Sequence, residues 1–577
     1  MIIVGELSLW IALLMSAWCA SLSYAGAVTT RADLMRSGQR AAHVALGFSG
    51  LAAFGLWTAL DDRDFSYAYV TNHITANMPD VYILAALWSD GAGSLLLWAL
   101  WLAVLSVVVS RGISHTARKT DGYATAALAA TLTFLLATAA FADNPFRRLE
   151  SAPADGLGMN PLLQNPGMLL HPPLLIVGLV STSVPFAFGM AALAMRRVDG
   201  WMIAAMRRWS LVAWALLGMG ILIGMWWAYV EPGWGGYWTW DPVQNAALLP
   251  WLALTAFVHA AVAFERRGLF TRWMLALSVT PFLLTMFAGV MGRGVLLPSI
   301  HAYAQSATGT WFSGFLILAS VATAYLLTVR SVTLPVGRRI DALASRESAL
   351  LYNNVILVGI AGSVLWGTLF PLIAEWFSDV RVSVGPPFFN AVHAPLLLVM
   401  LALIGVAYGT RWRQERVAIV GRRLRWPVAV AVVVATALLL AGMRSAHALG
   451  TFALVAFVLA RLGMQVHDSA DAAGRGSRTR IVGGSVTHAG IALLSAAFIG
   501  SSFRATHEVS LTAGETYAAT DPYGRQWRFV SQGISTYPYR NSEVTAVALE
   551  LLRDGQSAGF VTSERREYLD TQGRPTF

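Results

Sequence analysis

Apolar runs long enough to cross a bilayer recur fourteen times along this 577-residue chain, and that recurrence constrains the fold more than any single motif does. A membrane-spanning helix needs ~20 consecutive apolar residues, because no water reaches the bilayer core to satisfy a broken backbone hydrogen bond. Such runs lie near 4–24, 41–60, 81–110, 123–142, 169–195, 209–229, 245–264, 274–290, 311–329, 350–373, 391–410, 427–443, 448–463 and 486–502. The expected fold is an all-α polytopic membrane protein of about fourteen transmembrane helices occupying 1–502. The first run follows only Glu6 and lacks a basic start and a small-residue cleavage site, so it reads as a retained span rather than a signal peptide.

Basic residues favour cytoplasmic loops and so set the orientation. Loops 31–40, 111–121, 196–208, 265–272, 330–346, 411–425 and 461–480 carry 27 of the 41 Lys and Arg, whereas the intervening loops carry six. Both termini are therefore expected outside. The formal charge of +10 follows from this alternation rather than from a basic stripe on a soluble fold, so nucleic acid is not an expected partner. Cys19 is the only cysteine, which excludes a disulfide within the chain and a haem-attaching C-x-x-C-H motif.

After residue 502 the pattern changes. Segments 526–535, 542–552 and 558–568 alternate like strands, and Asp554-Gly555 supplies a hairpin turn between the last two. A small external β-rich domain is expected over 503–577. The loop 143–167 is too polar and too rich in Pro and Gly to cross a bilayer.

Eleven histidines can be sorted by depth. His259 precedes Arg266 by seven residues and His488 follows Arg480 by eight, which at 1.5 Å per helical residue places both roughly 10–12 Å in from basic clusters. Two imidazoles at one level on separate helices could bind one haem iron from both faces. Each could equally donate a hydrogen bond to a neighbouring helix, and His43 lies near the same level. His171 opens the fifth span, and His301 lies in the loop before the ninth, both on the external side. His73, His393, His447 and His507 share that side, so sidedness alone selects little.

Between the sixth and seventh spans lies WGGYWTWD, residues 234–241, within a tryptophan-rich loop at 226–245. Tryptophans gather at membrane interfaces regardless of function, and Trp226, Trp227 and Trp251 read as such a belt. Trp234, Trp238 and Trp240 are too dense for that, and Gly235-Gly236 permits close backbone approach. Asp241 reads first as a helix N-cap, with Pro242 at the first helical position and Gln244 completing a capping box.

The stretch GWGGYWTWDPVQNAALLPWL resembles the tryptophan-rich signature of the haem-handling family. The chain from about 40 to 577 is similar to the CcmF haem lyases of bacterial cytochrome c assembly within it. MNPLLQNPGMLLHPPLL, RRWSLVAWALLGMGILIGMWWAYVEPGWGG, RGVLLPSIHAYA, ESALLYNNVILV, VSVGPPFFN and VTHAGIALL carry the resemblance in order along the chain. It departs where relatives read W-G-G-x-x-G-S, since here Trp88-Ser89-Asp90-Gly91-Ala92-Gly93-Ser94 stands. Relatives also usually continue beyond Phe577 through more external chain and a last span, which suggests a truncated or shortened chain.

The resemblance implies a function and its residues. His171 and His301 match the external haem-flanking histidines, His259 and His488 match the ligands of an intramembrane b haem, and Trp234, Gly235, Gly236, Tyr237, Trp238, Trp240 and Asp241 match the tryptophan-rich platform. The implied reaction joins the vinyl groups of haem b to the thiols of C-x-x-C-H in apocytochrome c, outside the bacterial cytoplasmic membrane. Catalysis is assigned to His171, His301, Trp234, Trp238, Trp240 and Asp241. The second haem would serve electron delivery, with a membrane quinol as donor. Implied partners are apocytochrome c, the haem chaperone CcmE, CcmH- and CcmI-type subunits and membrane lipid. A haem exporter or carrier, and a b-haem oxidoreductase that forms no covalent bond, are the competing readings.

Overall fold

The structure is a computed structural model that describes residues 2–116, 118–160, 163–231, 236–294, 296–297, 299, 307–334, 337–338, 340–378, 382–413, 416–472, 475–500, 503, 509–521, 524–569 and 573. The helices are α1 (Ile2–Thr29), α2 (Ala32–Asp61), α3 (Ala68–His73), α4 (Asp80–Ala86), α5 (Gly91–Thr116), α6 (Lys119–Phe141), α7 (Pro166–Ser181), α8 (Ser183–Met195) and α9 (Gly200–Val230). They continue with α10 (Pro242–Arg267), α11 (Thr271–Met291), α12 (Thr308–Arg330), α13 (Arg346–Ser378), α14 (Pro386–Gly409), α15 (Val417–Leu440), α16 (Ala446–Ala472) and α17 (Arg475–Gly500). Among the described residues fourteen segments are long and apolar enough to span a membrane, as the apolar runs require. The chain is a multi-pass membrane protein.

Two runs differ in detail from the sequence reading. The span expected over 81–110 begins only at Gly91, because its first residues form the separate short helix α4. The span expected over 169–195 is α7 followed by α8, with Thr182 between them. Pro185 explains that break: its ring clashes with the carbonyl four residues back, that of Ser181, and supplies no N–H to it.

Two compact units are present. One comprises 1–339, 357–390 and 569–577; the other comprises 340–356 and 391–568. Within the first, α7 packs closely on α9. A Cβ added at Gly178 would lie 2.5 Å from the Leu217 amide nitrogen, and one at Gly220 would lie 2.8 Å from that of Leu175. Small residues at such crossings let helix backbones approach in the absence of a hydrophobic drive between lipid-embedded helices.

The second unit holds an antiparallel meander of β1 (Thr516–Thr520), β2 (Gln526–Tyr539), β3 (Ser542–Arg553) and β4 (Gln556–Tyr568). The last three are the strands expected from alternation, each somewhat longer than expected; β1 is a short TYAAT segment with too weak a pattern to register. Asp554 and Gly555 both have positive φ, 50° and 82°, the signature of the two-residue turn that matches strand twist. Gly533, at φ 135°, sits where the β2–β3 register shifts.

Candidate functional site

His171 is held by the cap of its own helix and by devices from two other segments. Asn165 caps α7, its Oδ1 accepting the Gly167 N–H at 2.8 Å, with Pro166 at the first helical position. Six residues on, His171 is followed by Pro172 and Pro173, which lack the N–H groups that the Met168 and Leu169 carbonyls would otherwise accept. The Trp88 indole Nε1 donates to the Met168 carbonyl at 2.9 Å. The loop 88–94 thus begins with a tryptophan that completes the histidine-bearing turn.

From α9, the Gly220 carbonyl accepts the Nδ1 proton of His171 at 2.7 Å. This fixes the tautomer and puts the ring's lone pair on Nε2, the arrangement found for metal-binding imidazoles. Gly224, one turn on, makes room: a Cβ there would lie 2.5 Å from His171 Cε1. Trp227 meets the imidazole edge-on, with ring centroids 5.9 Å apart, and it is buried. Trp227 is therefore no belt residue, contrary to the sequence reading, whereas Trp226 is half exposed. Asn165 also donates through Nδ2 to Glu231 at 3.0 Å, tying the start of α7 to the start of the tryptophan loop.

Trp234 and Gly235 lie outside the described residues, as does His301. The rest of the loop is anchored at its far end. Asp241 caps α10 in a full capping box, its carboxylate accepting the Val243 N–H at 2.9 Å while Gln244 reaches back. The same carboxylate accepts the Ser299 hydroxyl at 2.7 Å, two residues before His301. Gln244 Oε1 also accepts the Thr239 N–H at 3.1 Å. Trp240 adopts φ 59°, a left-handed conformation that costs a non-glycine residue ~1–3 kcal/mol and persists only where surroundings impose it. Those surroundings are visible. Its ring stacks on Phe389 at 4.7 Å and 9°, its Nε1 donates to Asn390 at 3.0 Å, and its carbonyl accepts from Asn245. Trp238 meets Trp240 edge-on at 5.9 Å. Gly236, at φ 101°, supplies the turn, and Tyr237 follows it. One face of Trp240 is thus occupied by protein, so that ring is a fixed wall rather than a two-sided clamp.

Because spans alternate in direction, the start of α5, the end of α6 and the end of α11 lie at the same end of this unit as His171 and the tryptophan loop. They bring together a cluster missed in the sequence, where each charge looked like ordinary loop polarity. His73 Nε2 lies 3.4 Å from Asp90. Arg293 is almost fully buried over the Phe312 ring at 4.0 Å and donates to the Gly289 carbonyl. Burial, the largest influence, and next the Asp90 charge push the Asp143 carboxyl up to about 6, against the pull of Arg293, His73 and Arg147. For Asp90, burial acts upward but is outweighed by the hydrogen bond and charge of His73, the Gly91 N–H and Arg293, so it stays below the usual range. Since the folded value of Asp143 exceeds its ordinary 3.8, this carboxyl's contribution to stability is complete below that value and is lost as pH rises through about 6. The purified Asp143→Asn variant is accordingly expected to lack a decline in melting temperature that wild type shows between about pH 4 and 6.5. Parallel curves for the two proteins would refute the assignment.

His259 and His488 belong to different units, and each is described within its own. In the first, His259 Nδ1 donates to the Thr255 carbonyl at 2.8 Å. Thr255 is itself held, its hydroxyl accepting from Trp214 Nε1 at 2.9 Å, while Trp214 stacks on Trp251 at 5.3 Å. Trp251 is therefore part of this support rather than of a belt. In the second unit, His488 Nδ1 donates to the Gly484 carbonyl at 2.7 Å and lies 3.2 Å from the Tyr408 hydroxyl. His43 and His73 make the same bond four residues back, so it is no mark of a ligand by itself.

Fourteen segments able to span a membrane among the described residues, with a tryptophan loop tied to the helix that bears His171, define a multi-pass membrane protein. Residues 88–297 match the family described as cytochrome C assembly protein. The chain is 36% identical to the cytochrome c-type biogenesis protein CcmF of Pseudomonas fluorescens, over 90% of its own length and 79% of that protein's. It is 34% identical to CcmF of Pseudomonas aeruginosa, over 98% and 86%. A solved structure titled cytochrome c heme lyase CcmF superposes with a TM-score of 0.79 at 26% identity, covering all of this chain and 88% of that one. The chain belongs to the CcmF family and serves cytochrome c maturation.

Proposed function

We propose that the chain is the thioether-forming haem lyase of cytochrome c maturation, seated in the bacterial cytoplasmic membrane with its tryptophan loop on the periplasmic side. The observation that supports this best is the double tethering of the loop: Asn165 joins its start to the helix bearing His171, and Asp241 joins its end to Ser299, next but one to His301. The residues suit a haem, since an imidazole with Nδ1 committed to a carbonyl offers Nε2 to iron, and indole faces suit a flat macrocycle.

In this reading haem b is the substrate, with its iron held by His171 and His301. Trp234, Tyr237, Trp238 and Trp240 line the ring, Gly235 and Gly236 let the backbone approach it, and Asp241 fixes the loop's end. At each vinyl group a cysteine sulfur of the partner's C-x-x-C-H bonds one carbon, and the thiol proton passes to the other. Nothing is oxidised or reduced in the addition. The protein's contribution is to hold vinyl and thiol in register, which can supply several kcal/mol of the barrier. The partner's own histidine then replaces one axial ligand and the product leaves.

His259 and His488 would hold a resident b haem, whose chemistry is one-electron transfer, with a membrane quinol as the electron source. Apocytochrome c, the haem chaperone CcmE and CcmH- and CcmI-type subunits are the partners of this reading.

The test is to supply the purified chain and its partner subunits with haem and an apocytochrome bearing C-x-x-C-H, or the same substrate with both cysteines changed to serine. Covalent haem stain surviving denaturing electrophoresis is expected only with the first. Equal haem transfer to both substrates, removable by acid acetone, would establish a carrier and overturn the lyase.

A further inference from the structure

Arg461 lies inside the span Ala446–Asp468 of α16 and is only 4% exposed. Its Nη2 donates to the Tyr408 carbonyl at 2.6 Å and to Gln465 at 3.2 Å. The first bond satisfies a carbonyl at the end of α14, which is a sufficient structural use for one nitrogen. It leaves Nε and Nη1 buried with no hydrogen-bond partner among the described residues. The neighbours of Arg461 on α16, Phe457, Val458 and Leu462, belong with Leu401 to an apolar cluster that Tyr408 packs against. A guanidinium keeps its charge in such a place, so its remaining N–H groups call for an acceptor, because a buried donor left without one is costly. Asp468 is the nearby acidic group, but it makes no ion pair with Arg461, while Arg346 and Arg423 add positive charge to the same neighbourhood. Among the described residues no carboxylate answers these N–H groups, and the site suits an anion.

Tyr408 says which anion. Its carbonyl accepts from Arg461, and its hydroxyl lies 3.2 Å from Nδ1 of His488, whose ring it meets edge-on with centroids 5.4 Å apart. The buried cation and the imidazole therefore sit at opposite ends of one tyrosine, and a haem carries two carboxylates of the sign that this cation calls for. We infer that Arg461 binds a propionate carboxylate of the haem ligated by His488. The inference rests on the proposed role of His488 as a haem ligand. Arg423, which donates to the Gly409 carbonyl at 3.2 Å, and Arg346 add to the positive field without being required to touch the carboxylate.

The test titrates the haem-depleted full chain in detergent with haem and with haem dimethyl ester, whose propionates carry no charge, following the Soret band. Wild type is expected to bind haem at least ~10-fold more tightly than the ester, equivalent to ~1.4 kcal/mol. Arg461→Gln is expected to abolish that preference while keeping a bis-histidine spectrum, and Arg461→Lys to restore part of it. Wild type that does not distinguish the two ligands would overturn the inference without recourse to any variant, as would Arg461→Gln retaining the full preference. If Arg461→Gln instead loses co-purifying acidic phospholipid while the preference persists, the anion is a lipid phosphate and the haem assignment fails. His488→Ala binding haem with an unchanged spectrum would sink the axial reading itself, separately from Arg461.

Discussion

Purified His488→Ala and His259→Ala variants are each expected to carry no detectable b haem, whereas wild type yields a pyridine haemochrome. Each imidazole is the end of a short supporting chain rather than an isolated polar group. For His259 the chain runs from Trp214 through Thr255, and for His488 it consists of Gly484 and Tyr408. Removing the ring leaves the supports intact, so the variants should still fold and elute as wild type does. The sharper version is Thr255→Val, which deletes the acceptor of the Trp214 bond but leaves the carbonyl bonded to His259; it should bind haem with a modest loss of affinity. Full haem retention in both histidine variants would refute the intramembrane site.

The second large effect concerns His171. His171→Ala should lower covalent holocytochrome yield by more than ~100-fold, since an axial ligand of the substrate is lost while haem bound at the other site remains. Gly224→Val tests the same site without touching its chemistry. The added side chain would collide with the imidazole, because even a Cβ would come within 2.5 Å of it. A loss of about 10–100-fold is expected, the range seen when groups that orient a metal ligand are removed. Measured by haem-stained product per unit of folded protein, wild-type yield from His171→Ala would exclude the external site as drawn. Wild-type yield from Gly224→Val would show that the ring can occupy another position.

The spans were legible because membrane physics leaves few choices: a run of that length and polarity has one structural solution, and the fourteen segments follow it. The strands after 525 were legible from alternation and from the Asp554-Gly555 turn. The Asp241 cap could be read because capping is local, involving residues 241–244 alone. What escaped was everything that depends on which helices touch. Gly220 and Gly224 were visible only as a small-residue spacing in GMGILIGM, and their service to His171 requires the α7–α9 crossing. Phe389 and Asn390 lie about 150 residues from the tryptophan they immobilise. Trp227 and Trp251 looked like interface decoration because composition does not reveal a partner. Arg461 reads in the sequence as one more basic loop residue, although it is buried within a span.

The proline pair after His171 has a mechanical consequence. A helix resists bending through its ladder of backbone bonds, and here two consecutive rungs are missing in the turn that bears the imidazole. That turn is the most compliant part of its helix. Its stiffness is borrowed, through a single indole N–H from Trp88, from a loop that lies some 80 residues earlier in the chain. The angle at which His171 is presented is therefore set by tertiary contact rather than by its own backbone, and a perturbation at Trp88 is felt as a tilt of the ligand.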